Sequence, residues 1–97
     1  MKMERQSAEW MRREDERILE YLEENGLSSS RLISNEAFEK VSPGHVAERL
    51  ERLRYARLVS RTGLTSYELT REGRWYLDGD LDAAHQPTPT TSRVFHS

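Results

Sequence analysis

The order of elements that the sequence predicts is helix, helix, tight turn, helix, β-hairpin and helix. This order indicates a mainly helical α+β fold of the winged helix-turn-helix class, with a three-helix core, a wing and a C-terminal helix. Two observations carry the prediction. A connection of only three residues, 39–41, separates the second and third helices, and after Leu58 the apolar period changes from that of a helix to that of a strand.

The first predicted helix has an apolar stripe at helical spacing. Its members are Met11, Ile18, Leu19 and Leu22, with Trp10 and Tyr21 beside them. Asn25-Gly26 supplies a C-terminal stop. Two starts are compatible with the pattern: Ser7 as the N-cap, or a break near Arg12 that separates Trp10-Met11 from the main helix.

The second and third helices have recognisable starts. Hydroxyl side chains at 28–30 can cap a short helix that carries Leu32, Ile33, Ala37 and Phe38. Ser42-Pro43 places a capping serine directly before proline at the first helical position, where its missing N–H costs nothing. The third helix is predicted over residues 42–56, with Val46, Leu50 and Leu53 turned inward and Ala47 beside them.

The remaining chain predicts a wing, a last helix and a tail. Two short strands, 58–61 and 66–69, flank the turn 62–65, and Thr70 can cap a helix that ends near Gly79. The polar, proline-broken composition of residues 84–97 predicts a disordered tail. The predicted organisation is therefore an N-terminal extension (1–9), one winged helix-turn-helix domain (10–83) and the tail (84–97).

Composition argues against several classes of protein. The chain of 97 residues has no cysteine, and it shows no HExxH motif or Gly-rich phosphate loop. Two of its three histidines, His85 and His96, fall in the predicted tail, so a metal site is not expected. It also has no apolar run of the ~20 residues that a membrane span needs and no signal-peptide pattern. We therefore expect a cytoplasmic protein that is not an enzyme, with no cofactor, metal or evident small-molecule ligand.

The formal charge of −2 is unevenly distributed along the chain. Residues 1–30 carry a net charge of −3 and residues 75–97 carry −2, whereas residues 31–74 carry +3. The positive segment is the one with the helix-turn-helix pattern, as contact with DNA phosphates requires. Thirteen of the fifteen basic residues are arginine, a bias that fits a GC-rich and salt-adapted genome.

Three blocks of the sequence resemble a known family, the haloarchaeal winged-helix proteins related to the phage phi-H repressor. The first block is Trp10-Met11 followed by residues 15–22, the second runs from Val41 to Leu53, and the third from Tyr67 to Ala83. The resemblance covers residues 10 to 83. It implies a small, dimeric, DNA-binding transcriptional regulator from a salt-adapted archaeon, with double-stranded DNA as its partner.

One position departs from the family pattern. Such proteins usually have glycine just before the Leu-Val of the first wing strand, where this chain has Arg57. Either Arg57 adopts the left-handed conformation, at a cost on the order of 1 kcal/mol, or the helix ends differently.

The candidate DNA-binding residues lie on the third helix, the start of the second helix and the wing. They are Ser30, Arg31, Ser42, Gly44, His45, Arg49, Arg52, Arg61 and Thr62. Arg49 and Arg52, three residues apart, are the main candidates for base or phosphate contact. The alternative for both is an ordinary surface ion pair with Glu48 or Glu51. Ser42 is a helix cap first, and Arg61 either enters the minor groove or belongs to a wing that only closes the core.

A homodimer is expected from apolar residues near the two ends of the predicted domain. These are Trp10, Met11, Trp75, Tyr76 and Leu81. A two-fold dimer would bury them and place two recognition helices about one DNA turn apart. The alternative is that they complete the monomer core. For the whole protein, the competing hypothesis is a winged-helix protein-interaction module that does not bind DNA.

Overall fold

The computed structural model describes residues 4–95. Its helices are α1 (Arg13–Asn25), α2 (Ser30–Ala37), α3 (Pro43–Tyr55), α4 (Arg71–Leu77) and α5 (Thr91–Phe95), with a 3-10 turn at Ala83–His85. Its strands are β1 (Ser28–Ser29), β2 (Val59–Thr62) and β3 (Ser66–Leu69). They form one antiparallel sheet in the order β1-β3-β2. The predicted winged-helix arrangement is confirmed.

The core is formed where α1, α2 and α3 pack together and the sheet closes one end. Its largest fully buried apolar side chains are Tyr76, Ile18, Leu19, Leu22, Ile33, Leu50, Leu53, Leu58 and Leu77. The stripe predicted on the first helix lies in this core, except that Met11 is half-buried and precedes α1. Burial of these side chains is the main driving force for the fold.

Side-chain caps set the starts of three helices. The hydroxyls of Ser29, Ser42 and Thr70 accept hydrogen bonds from the third residue along, at 3.1, 3.1 and 2.9 Å. Each satisfies one of the N–H groups that a helix start leaves without a partner. For α1, the break at Arg12 is the alternative that the structure confirms, and the Arg12 N–H donates to Asp15 Oδ2 at 3.0 Å.

Arg57 adopts the left-handed conformation, with φ of 68°, and is the non-glycine residue with positive φ among residues 4–95. The Leu58 N–H donates to the Leu53 carbonyl at 2.9 Å, and the Arg57 N–H donates to the Arg54 carbonyl at 2.9 Å. These two bonds form a Schellman motif, in which the residue after the cap is usually glycine. The wing therefore leaves α3 by the usual route, and Arg57 bears the conformational cost.

Strand β1 is not predicted by the sequence pattern. The hydroxyls at 28–30 predict only helix caps, yet Ser28 and Ser29 pair with Tyr67 and Ser66 of β3. A two-residue strand has no detectable period, so its pairing is decided by the neighbouring hairpin.

Gly73 allows α4 to pack closely on the start of the wing. A Cβ at this position would overlap the Leu58 carbonyl oxygen and the Leu69 side chain. Any larger residue would force α4 away from β2 and β3, so glycine here sets the distance between the last helix and the sheet.

The C-terminal segment, for which composition predicts disorder, is placed on the surface of α3. After the 3-10 turn, Gln86 donates a side-chain hydrogen bond to the Ala56 carbonyl at 3.0 Å, and Pro89 is buried. Helix α5 then lies against α3. We call residues 86–95 the C-terminal strap.

Candidate nucleic-acid interface

The wing lies beside α3, and Glu51 joins the two. The Tyr67 hydroxyl of β3 donates to Glu51 Oε2 at 2.5 Å, and the Arg61 guanidinium of β2 approaches the same oxygen at 4.0 Å. Burial and the bond to Glu51 raise the pKa of Tyr67 to about 12. Although partial burial opposes it, hydrogen bonds from Tyr67 and Arg54 lower the pKa of Glu51. The wing and α3 therefore form one continuous surface.

One face of α3 is turned away from the core. Its residues lie between the buried Val46, Leu50 and Leu53 along the chain and point to the opposite side of the helix. The outward residues include Gly44, Glu48, Glu51, Arg52 and Tyr55, with Ala47 at the edge of this face and the exposed Arg54 beside it. In a winged helix, this is the face that enters the major groove.

Arg49 is not on that face, and the prediction that it points outward is wrong. Its side chain is 3% exposed and forms a bidentate pair with the fully buried Asp15 of α1, at 2.8 and 2.7 Å. It also donates to the Trp10 carbonyl at 3.1 Å. The bonds to Asp15 raise the pKa of Arg49. Because all these partners are internal, Arg49 holds α3 against α1 and is unavailable to DNA.

Arg52 lies on the outward face, but the C-terminal strap covers it. Its guanidinium donates to the Pro89 carbonyl at 2.8 Å and to Thr91 Oγ1 at 3.0 Å. The Phe95 ring lies 5.3 Å from its Cζ atom, a cation–π distance. The side chain is 15% exposed, and its ion pair with Glu48 is long, at 3.5 Å.

The start of α3 is held by polar contacts. His45 Nε2 lies 2.8 Å from Glu14 Oε2 of α1, and this hydrogen bond lowers the pKa of Glu14. The Ser42 hydroxyl accepts from the His45 N–H, so its predicted capping role is confirmed. Gly44 is exposed, and a Cβ there would meet only the Ser42 hydroxyl at 4.0 Å.

The remaining DNA-binding candidates lie near the surface. Arg61 is 40% exposed and donates to the Leu64 carbonyl at 2.5 Å, which folds its guanidinium over the wing tip. Thr62 is exposed and donates to Glu68 at 3.3 Å. Ser30 is half-buried at the first residue of α2, and Arg31 beside it is exposed. Any role of these four in DNA contact stays a prediction.

The five predicted dimer residues differ in exposure. Tyr76 is fully buried, and its hydroxyl donates to Glu16, so its predicted place in a dimer contact is wrong: the monomer core encloses it. Trp10, Met11 and Leu81 are half-buried against the core of the same chain. Trp75 is 45% exposed, and its ring lies 5.9 Å from the Arg71 guanidinium carbon.

Sequence reasoning missed the buried partner of Arg49, although a signal for it was available. Asp15 precedes Ile18, Leu19 and Leu22 at the spacing of the apolar stripe, and Arg49 has the same relation to Val46 and Leu53. A charged residue in an apolar stripe is costly unless it is paired. Two such residues of opposite sign, on helices predicted to pack together, indicate a buried ion pair.

Other kinds of site have little support in the part of the chain that the structure describes. Within residues 4–95, no helix has the length and apolar character that a membrane crossing requires. Over the same residues, no group of three or more His, Asp or Glu side chains is arranged to hold a metal ion.

A three-helix core whose third helix lies beside a β-hairpin defines a winged helix-turn-helix protein. Among solved structures, the chain is similar to a PhiH1 repressor-like protein from Haloarcula marismortui. The two share 32% sequence identity over 89% of this chain and 98% of that one, with a TM-score of 0.83. The chain belongs to the PhiH1 repressor-like family. Comparison with protein-family models finds no match, and neither does comparison with curated proteins.

Proposed function

We propose that this chain is a sequence-specific, double-stranded DNA-binding transcriptional regulator, a repressor, that inserts α3 into the major groove. The observation that carries the proposal is the continuous surface formed by α3 and the wing around Glu51. A B-DNA major groove admits one α-helix, and a wing beside that helix reaches the flanking backbone or minor groove. Membership of a repressor-like family supports the same function.

The arginines on this surface give the proposal its chemistry. Arg52 on α3 and Arg61 on the wing are the cations placed to meet base edges or phosphates, and Arg31 extends the surface from α2. Glu51 does not repel DNA as a free carboxylate would, because Arg54 bonds it at 2.9 Å and Tyr67 donates to it. Gly44 leaves the helix start open for close approach of the DNA backbone.

A selection of bound duplexes from a random pool, followed by fluorescence anisotropy on the enriched sequence, tests this function. We expect Arg31→Ala and Arg61→Ala, which leave the contacts of Arg52 unchanged, to weaken binding, and each lost phosphate contact to reduce the log–log salt slope by ~0.9. Arg74→Ala is the matched control, because Arg74 is an exposed arginine on α4, which packs on α1 and β3. Failure of the wild-type protein to enrich any duplex would contradict the proposal.

We also propose that the chain forms a homodimer. It would act in the cytoplasm, where the DNA that it binds would be. The exposed Trp75 supports a two-fold contact through α4, in which we also include the half-buried Trp10, Met11 and Leu81. Light scattering should give about twice the chain mass of 11.4 kDa. A Trp75→Ser variant should shift the mass toward that of one chain, and a monomeric wild type would exclude this part of the proposal.

A second function, a protein-interaction module without DNA binding, has one observation in its favour. The outward face of α3 carries Glu48 and Glu51, and it already holds a peptide segment, the C-terminal strap. The duplex selection distinguishes the two functions, because only the regulator enriches a DNA sequence.

A further inference from the structure

The C-terminal strap occupies the face of α3 that DNA would need. The strap passes from Gln86 at the C-terminal end of α3, through Pro89 and Thr91 at Arg52, to Phe95. Phe95 and Thr91 line an open cleft together with outward residues of α3, namely Gly44, Ala47, Glu48, Glu51 and Arg52. A helix buried in the major groove cannot keep a second helix on the same face, so the strap and DNA exclude each other.

The strap binds Arg52 through the same kinds of contact that a nucleic acid would make. Its carbonyl and hydroxyl oxygens take the guanidinium donors that could bond a guanine edge or a phosphate, and the Phe95 ring covers the guanidinium plane. The Arg52 Nε–H is buried and has no hydrogen-bond partner within residues 4–95.

Apart from Pro89, no residue of the strap is buried. No residue of α5 is buried, and the Phe95 side chain is 48% exposed. Surface contacts of this kind contribute little and open readily, in contrast to a packed helix. The strap is anchored at its start by Gln86 and the buried Pro89, and along its remaining length mainly by Arg52.

We propose that the C-terminal strap, residues 86–95, is an autoinhibitory element that competes with DNA for the outward face of α3. This inference rests on the proposed DNA-binding function. DNA binding and strap release are coupled, so a ligand or partner that captures the released strap increases DNA affinity.

Phe95→Ala combined with Thr91→Val tests the competition in the full chain. The two changes remove the ring and the hydroxyl that contact Arg52 and leave α3 intact. If the strap is seated about nine-tenths of the time, this variant binds the selected duplex about tenfold more tightly than wild type. The matched control is Leu27→Ala with Ser92→Ala. It removes an apolar side chain whose exposure is similar to that of Phe95, and the hydroxyl of the residue next to Thr91.

A cross-link supplies an independent measurement, because the chain has no cysteine of its own. Ala47→Cys with Phe95→Cys, bridged across the cleft by a short reducible thiol linker, should abolish duplex binding, and reduction should restore it. Equal affinity of wild type, strap variant and bridged protein would overturn the inference and leave the proposed function standing. Absence of duplex binding by all of them, including the strap variant, would overturn both.

Discussion

The two faces of α3 hold the same type of side chain in opposite ways. On the inner face, Arg49 is 3% exposed and shares a bidentate ion pair with Asp15, so its charge is neutralised inside the protein. On the outer face, three residues later, Arg52 is covered only by the C-terminal strap. Residue type alone therefore does not identify a DNA-contacting arginine, because the position of an arginine around the helix decides which partner its side chain meets.

The energetic consequences of the two arrangements also differ. Removing one member of a buried pair leaves an uncompensated charge in a low-dielectric interior, which is strongly destabilising. Removing the strap would return the Arg52 side chain, now 15% exposed, to water, where an arginine is solvated at little cost. The inner face is therefore a structural contact, whereas the outer face can lose its partner without leaving a buried charge unpaired.

The largest expected effect is on the inner face. Arg49→Met should lower the free energy of unfolding by about 3–5 kcal/mol, because Asp15 stays buried without its partner. Urea denaturation followed by circular dichroism measures the change. Arg54→Met, an exposed arginine on the same helix, is the control and should cost under about 0.5 kcal/mol.

A double substitution sharpens this prediction. Asp15→Leu with Arg49→Met removes both charges, so much of the lost stability should return, less the contribution of the Asp15 bond to the Arg12 N–H. A double variant less stable than Arg49→Met alone would show that the unpaired Asp15 charge is not the cause of the lost stability. That result would contradict the contrast between the two faces of α3.

The next largest effect concerns Arg57, the residue after the C-cap of α3. Arg57→Gly should raise the free energy of unfolding by about 0.5–1 kcal/mol, because glycine adopts the positive φ of this Schellman motif without steric cost. Thermal unfolding measures it, with Arg57→Ala as the control that keeps the Cβ and gives no such gain. A loss of stability in the glycine variant would mean that the Arg57 side chain contributes more than its strain removes.

A smaller effect is expected on the outer face. Phe95→Ala with Thr91→Val should change the free energy of unfolding by less than about 1 kcal/mol, because the strap is a surface segment. Guanidinium denaturation of this variant beside wild type makes the measurement. A loss above about 2 kcal/mol would place the strap in the cooperative core and remove the contrast between the two faces.

The smallest effect concerns the polar contact at the start of α3. The pKa of Glu14 is lowered by its hydrogen bond with His45, so this contact contributes stability above the unfolded pKa of about 4.5, which is lost as pH falls through the folded pKa. Glu14→Gln should cost about 0.5 kcal/mol at neutral pH. The difference from wild type should vanish in acid. Paired unfolding curves from pH 7 to pH 3 test this, and a difference that grows on acidification would contradict it.

The sequence by itself determined most of the scaffold. Ser42-Pro43 set the start of α3, the apolar stripe on α1 set which face packs inward, and the alternation after Leu58 placed the hairpin. These are local signals, in which caps, period and turn residues act over a few neighbours. The family resemblance added the unusual Arg57, and the structure settled that it takes the left-handed conformation.

The roles of the charged residues depend on tertiary packing. The helical pattern predicts that Arg49 faces outward, but its partner Asp15 lies 34 residues away on another helix, and the packing of α1 on α3 brings them together. Arg52 was placed correctly on the outer face, yet composition gave no sign that residues 86–95 would cover it. A local pattern reports which face of a helix is apolar. The partner of a charged side chain depends on which elements pack together, and that is set by the whole chain.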